Sequence, residues 1–182
     1  MKLRLIPALD TGVENSRIKN LYINSFPAEE RAPYWFIKRR IKKGLTESLN
    51  IMAGDEWVGW FYMVVHNDMA YIFYFVIDEK HRGKGYGTKA IEALKEKYKG
   101  LRIFLALEEL DESAENYNQR LRRHRFYSNC GFEDLPHSIK EGTVTYAIMG
   151  IGGKVGAHEY KELIYKFTGR IFRLFVDMRI IE

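Results

Sequence analysis

The sequence predicts a mixed α/β fold in which a mostly antiparallel central sheet is flanked by helices. Three observations predict it. Residues 48–53 and 56–66 are strand-like runs separated by Gly54-Asp55, a strong two-residue hairpin signal. Residues 69–77 (Met-Ala-Tyr-Ile-Phe-Tyr-Phe-Val-Ile) are almost wholly apolar, as a central strand buried on both faces is. A glycine-rich loop then opens onto an amphipathic helix, and the apolar run 101–107 follows it. Two strands joined through a helix run parallel.

The remaining elements follow in chain order. Residues 1–9 alternate weakly and read as a first strand. Asn15 and Ser16 are placed to cap a helix over 16–25, with Ile18, Leu21, Tyr22 and Phe26 on one face. Pro27 and Pro33 bracket an acidic turn containing Glu29 and Glu30. A second helix, 34–43, sets Trp35, Ile37 and Ile41 apart from a basic face of Lys38, Arg39, Arg40, Lys42 and Lys43, which reads as a solvated surface. After the hairpin, Asn67-Asp68 makes another tight turn, so the sheet up to residue 77 is an antiparallel meander. The helix behind the glycine loop spans 88–99, turns Ile91, Leu94 and Tyr98 inward, and stops at Gly100. A helix over 114–128 follows the strand 101–107. Residues 143–151 form a further strand with which 132–139 can pair. A helix over 157–168 carries Tyr160, Leu163, Ile164 and Phe167 and stops at Gly169, and 170–181 alternates as a strand does. There is no internal repeat, low-complexity segment or linker. One domain over 1–182 is expected, with a core of about 1–151 and a C-terminal helix-strand extension, 152–182.

Composition bounds the function. A chain of 182 residues suits one domain, and a domain of this size buries about 70% of the surface its unfolded chain exposes. It needs neither a disulfide nor a metal to fold. The single cysteine, Cys130, excludes an intramolecular disulfide and fits a reducing, cytoplasmic setting. Residues 1–7 lack the shape of a signal peptide, and no run approaches about 20 uncharged apolar residues, so no membrane association is expected. The five histidines lack metal-ligand spacing, and no metal is expected. The net charge of +5 is spread over several segments without an aromatic-basic recognition motif, which argues against nucleic acid and leaves room for an anionic ligand.

The stretch Val76 to Thr88 carries the chemistry. Gly83, Gly85 and Gly87 alternate with Lys84 and Tyr86, behind Arg82. Glycine lets backbone approach a ligand closely. A helix N-terminus behind such a loop offers unpaired N–H groups and the positive end of the helix dipole. The combination is an anion site, most often for phosphate. It is not a P-loop, because Gly87 is followed by Thr88-Lys89 in the wrong order. Gly85 to Ala90 satisfies G-x-G-x-x-G/A, with Glu108 about 20 residues on. A dinucleotide fold is nevertheless disfavoured. Asp78 to Lys84 separate strand from loop, the preceding strands are hairpins, and only one β-α-β unit follows.

Arg82-Gly83-Lys84-Gly85-Tyr86-Gly87 resembles the R/Q-x-x-G-x-G/A signature of the GNAT superfamily of acyl-CoA N-acyltransferases. Phe126-Tyr127-Ser128-Asn129-Cys130-Gly131-Phe132 resembles the family's F-Y-x-x-x-G-F segment, about 40 residues downstream and in the right order. The resemblance covers roughly residues 1–151. It implies an N-acetyltransferase that moves acetyl from acetyl-CoA to a primary amine by direct attack.

By resemblance, the N–H groups of Gly83, Lys84, Gly85, Tyr86, Gly87 and Thr88 hold the pyrophosphate, and Arg82 lines the same cradle. The pantetheine arm lies along Phe75, Val76 and Ile77. Tyr127 is the general acid that protonates the departing sulfur. Glu108, at a strand end, is the leading candidate for the base, with Glu109, Glu29 and Glu30 behind it. The family often has an asparagine seven residues before the tyrosine. Arg120 stands there, so Asn118, or Asn116, takes over the cofactor contact. Arg120, Arg122, Arg123 and Arg125 either face the nucleotide phosphates or form a solvated helix face. The partners implied are acetyl-CoA as co-substrate and an amine acceptor, small molecule or peptide; a homodimer is left open. Residues 26–36, with Phe26, Glu29, Glu30, Trp35 and Phe36, form the candidate acceptor wall, suited to a cationic amine. Two other classes compete. One is a non-catalytic acyl-CoA sensor on the same fold. The other uses Cys130 as a nucleophile, which needs a positioned histidine, and His124 is the nearest in sequence.

Overall fold

The computed structural model describes residues 2–142, 144–169 and 178–181. Among these, eight strands form one mixed sheet flanked by helices, as the sequence predicts. The strands are β1 (Arg4–Pro7), β2 (Glu47–Ala53), β3 (Glu56–His66), β4 (Met69–Ile77), β5 (Arg102–Glu108), β6 (Glu133–Glu141), β7 (Val144–Ile151) and β8 (Met178–Ile181). Their order is β1-β2-β3-β4-β5-β7-β6-β8. The helices are α1 (Gly12–Ser25), α2 (Tyr34–Lys42), α3 (Tyr86–Lys97), α4 (Tyr117–Asn129) and α5 (Ala157–Thr168). The chain divides into two compact units, residues 1–65 with 72–99 and residues 66–71 with 100–182.

In the first unit β1 pairs antiparallel with β2, and β2 with β3, from Glu47↔Met63 to Ala53↔Glu56. Trp57 to Val64 are buried without interruption, so β3 is as enclosed as β4 was expected to be. One of its faces, with Trp60 and Tyr62, meets the helices: Trp60 packs edge-on against Tyr22 of α1, and the Tyr62 hydroxyl donates to Ile37 O of α2. On the other, Phe61 stacks on Phe75 of β4 at 4.3 Å. The strands come unusually close at Gly59, where a Cβ would lie 2.4 Å from Val76 O.

Two local expectations fail here. Helix α1 starts earlier than position 16, because Thr11 caps it: its hydroxyl accepts from Glu14 N–H at 3.3 Å. Asn15 is turned instead onto the Asp10 carboxylate at 2.6 Å. In α2 the inward position belongs to Phe36, 5% exposed, while Trp35 is 63% exposed.

In the second unit residues 69–71 of β4 pair parallel with Arg102–Phe104, as the intervening helix predicts. β5 and β7, β7 and β6, and β6 and β8 pair antiparallel. The register of β6 slips between Asp134 and Ser138, around Pro136, which has no N–H to give a ladder. Helix α5 buries Tyr160, Leu163, Ile164 and Phe167 as expected. Arg102 anchors it. The guanidinium donates to Asp68 at 2.8 Å, to both Glu159 oxygens at 2.8 and 2.9 Å, and to Lys154 O at 2.8 Å. Of the strand expected over 170–181, residues 170–177 lie outside the described residues, and 178–181 form β8.

Candidate functional site

The glycine loop lies in the first unit. β4 ends at Ile77, a single 3-10 turn follows over Glu79–His81, and α3 opens at Tyr86, two residues earlier than position 88. Gly83 and Gly85 have φ of 73° and 75°, left-handed values that suit glycine. A Cβ built at either would meet nothing within 4 Å, so the loop presents bare backbone to open space. Helix α3 has no side-chain cap and no acidic residue in its first turn. In α1 and α5 Thr11 with Glu14 and Glu159 occupy that place, whereas α2 and α4 are as uncapped and acid-free as α3, so the left-handed glycines before it set α3 apart. The N-terminal N–H groups and dipole end of α3 are thus left for an anion.

Arg82 braces the loop more than it lines it. Its Nε donates to Ile77 O at 3.0 Å, and its Nη2 to Ser25 Oγ at 3.5 Å. Asp78 N–H donates to Val58 O at 2.9 Å, which fixes the strand end. Lys84 is exposed and has no ion-pair partner among the described residues. Phe75 and Ile77 are half-buried and flank buried Val76.

Glu108, Tyr127 and Asn118 lie in the second unit. The Glu108 side chain is only 11% exposed and is closely engaged. Arg120 reaches Oε1 at 2.9 Å, Arg123 pairs with Oε2, and the Asn116 amide donates to both oxygens at 3.4 Å. Arg120 also donates to Asn116 Oδ1 at 2.7 Å and to Glu109 O at 2.8 Å. Two of the four arginines of α4 are thereby committed to β5, while Arg122 and Arg125 are exposed. Asn116 is spent on the same cluster. Asn118 is exposed, with no bond among the described residues.

Tyr127 is 8% exposed and packs between Phe126 and Phe132, with ring centroids at 5.0 and 5.6 Å. Burial pushes its phenol well above the ordinary value, against a smaller opposing pull from Arg123. It therefore stays protonated at neutral pH. Its hydroxyl has no hydrogen-bond partner among the described residues, so its proton is not committed to a structural bond. His124 holds Asp134 at 2.9 Å. No three His, Cys, Asp or Glu side chains among the described residues group as a metal site would. Among the described residues no helix is long and apolar enough to cross a membrane.

The model of the acetyltransferase (GNAT) family matches residues 15–132. The chain belongs to the GNAT acetyltransferase family. Solved structures agree on the fold. A Bacteroides thetaiotaomicron protein assigned to the GNAT acetyltransferases superposes with a TM-score of 0.75 at 22% identity, over 93% of this chain and 98% of that one. A Bacillus subtilis acetyltransferase in complex with CoA gives 0.57 at 16% identity, over 82% and 97%. An aminoglycoside 6′-N-acetyltransferase complexed with coenzyme A gives 0.62 at 14%, over 82% and 96%. No curated protein sequence matches. The GNAT match ends at Phe132, so β6, β7, α5 and β8 lie beyond it.

Sequence reasoning missed two clusters that the GNAT fold builds here. Arg120 and Arg123 sit three apart on one helix face, which signals a shared target but not which one. Tyr74 reads as one more apolar residue of β4, yet its hydroxyl is the centre of a polar network with Tyr22, Glu30 and Ala32.

Proposed function

We propose that the protein is an N-acetyltransferase that takes acetyl from acetyl-CoA and delivers it to a primary amine by direct attack. The observation that carries this is the uncapped, acid-free N-terminus of α3 behind two left-handed glycines with open space above them. That is a cradle of the shape and polarity a pyrophosphate needs. The two structural neighbours solved with CoA, one of them named for N-acetylation of an aminoglycoside, support the same reading.

Bound acetyl-CoA supplies an activated acyl carbonyl and a thiolate leaving group. Gly83 to Thr88 bind its phosphates through main-chain N–H groups, and Lys84 adds a mobile positive charge. Arg82 holds the loop to the end of β4. Phe75, Val76 and Ile77 offer main chain to the pantetheine arm, although Ile77 O is already taken by Arg82. Asn118 offers an uncommitted amide on α4 for a cofactor contact. Tyr127 donates its proton to the departing sulfur. Glu108, the base favoured from sequence, has its oxygens occupied by two arginines and an amide, so we assign it to holding α4 on β5. Residues 26–36 form one wall for a cationic acceptor.

The test is acetyl-CoA with a panel of amines, small molecules and peptides, with free thiol as the readout. Thiol release with at least one amine, lost in Tyr127→Phe, is the expected result. Binding without release from any amine would favour an acyl-CoA sensor. Gly85→Asp places a carboxylate in the cradle and should abolish acetyl-CoA binding by calorimetry. The left-handed φ costs about 1–2 kcal/mol in a non-glycine residue, so the variant still folds. Unchanged affinity would end the cofactor assignment.

A further inference from the structure

Tyr74 lies in β4 one residue before Phe75, and its ring is buried. A buried phenol hydroxyl needs partners, and this one finds them in the proline-bracketed turn. Ala32 N–H donates to it at 3.0 Å, and it reaches Glu30 O at 3.0 Å. The hydroxyl of Tyr22, from α1, lies 3.1 Å away and donates to Ala32 O at 2.9 Å. Each tyrosine has one hydroxyl proton, so two of the three O–H contacts are made at a time. The turn's own backbone bonds are local: Glu30 N–H to Pro27 O and Arg31 N–H to Ala28 O. Tyr74 fastens it to strand β4 with two hydrogen bonds. The adjoining Phe26 ring packs on Tyr74 at 4.9 Å, and Ser25 touches Arg82 of the glycine loop. Within the first unit, the turn is thus the segment fastened beside the strand and loop assigned to the cofactor.

We infer that Tyr74 is a positioning residue for the acceptor amine: its hydroxyl latches the turn between Pro27 and Pro33 to β4 and so fixes the wall against which the amine is held. The inference rests on the acetyl-transfer reading. Removing the oxygen takes away the bonds of Ala32 N–H and Glu30 C=O to β4 and loosens the turn, which keeps the Tyr22 bond to Ala32 O, while the glycine loop keeps its contacts.

The experiment is steady-state kinetics of Tyr74→Phe and Tyr22→Phe with an amine the wild type accepts, together with calorimetry of acetyl-CoA binding. Tyr74→Phe should raise the KM for the amine about tenfold, the scale of one lost hydrogen bond. Its acetyl-CoA affinity should stay within about twofold, inside the scatter of near-neutral contacts. Tyr22→Phe should raise the amine KM less, because the Tyr74 bonds to Ala32 and Glu30 remain. An unmoved amine KM in Tyr74→Phe, or amine KM and acetyl-CoA affinity worsening together, overturns the latch alone. If Tyr74→Phe does not fold, Tyr22→Phe decides: a higher amine KM at constant acetyl-CoA affinity supports the latch, and an unchanged one overturns it. A wild type that turns over no amine overturns acetyl transfer and the latch with it.

Discussion

Glu108 shows how a residue's neighbours set its chemistry. From sequence it is an acid at a strand end, in a chain that needs a base. In the structure Arg120, Arg123 and Asn116 crowd its oxygens. Both oxygens of this carboxylate are engaged within the protein rather than held toward a substrate. Its removal should be felt in stability first. Glu108→Ala leaves two guanidiniums facing a vacated site, and partial exposure of Arg123 lets water soften the loss. We expect a destabilisation of about 1–3 kcal/mol by chemical denaturation, below the range for a fully buried pair. The milder Glu108→Gln should keep the acidic limb of the kcat profile where the wild type has it. If the limb disappears in Glu108→Gln, the residue is the base and its assignment to α4 is wrong. Nothing near Glu108 in sequence discloses this, since its partners lie 8, 12 and 15 residues downstream and meet it only after α4 docks.

At the scale of the element, α3 is built with its N-terminus unpaired. An acidic residue at the third helical position normally favours a helix by about 0.3–1 kcal/mol, and Thr88 occupies that position here. Thr88→Glu should therefore raise the melting temperature of the free protein slightly. It should also weaken acetyl-CoA by tenfold or more, since a fixed negative charge would face phosphate at short range. A variant that melts higher and binds acetyl-CoA as before would place the phosphates elsewhere. This loop was legible in the sequence because strand, glycines and helix start are contiguous, so local chemistry specifies them. The hairpin at Gly54-Asp55, the inward residues of α5 and the parallel step from β4 to β5 were legible for the same reason. Thr11 as the cap of α1 and Phe36 in place of Trp35 were not. Several residues satisfy the local rule equally well, and tertiary packing chooses among them. The Tyr74 latch lay deeper still, because a tyrosine in an apolar strand looks like packing until its hydroxyl meets a turn some 42 residues away.

At the scale of the whole molecule, the GNAT match stops at Phe132 while the fold continues through β6, β7, α5 and β8. Within the second unit β7 of that continuation pairs with β5, and α5 with the loop before it is tied to β5 and to the turn before β4 through the side chain of Arg102. It bonds Asp68, Glu159 and Lys154 O together. Hydrogen bonds from Arg102 hold both carboxyls below their ordinary values, with Gly156 N–H adding to the effect at Glu159. A carboxyl whose folded value is depressed contributes stability that is present above its unfolded value. That contribution is lost as pH falls through the folded value. The protein should therefore lose stability on acidification from about pH 5 downward, the window in which free carboxylates begin to protonate. In Arg102→Met the partner is gone and both carboxyls return toward ordinary values. The variant should be less stable at neutral pH, and its stability should fall less steeply through the same acid window. Denaturant midpoints at pH 7, 5, 4 and 3 compare the two directly. Parallel pH curves for wild type and variant would show that the cluster contributes nothing to the linkage, leaving α5 to its buried face of Tyr160, Leu163, Ile164 and Phe167 and to the bonds of Tyr160 and Lys166.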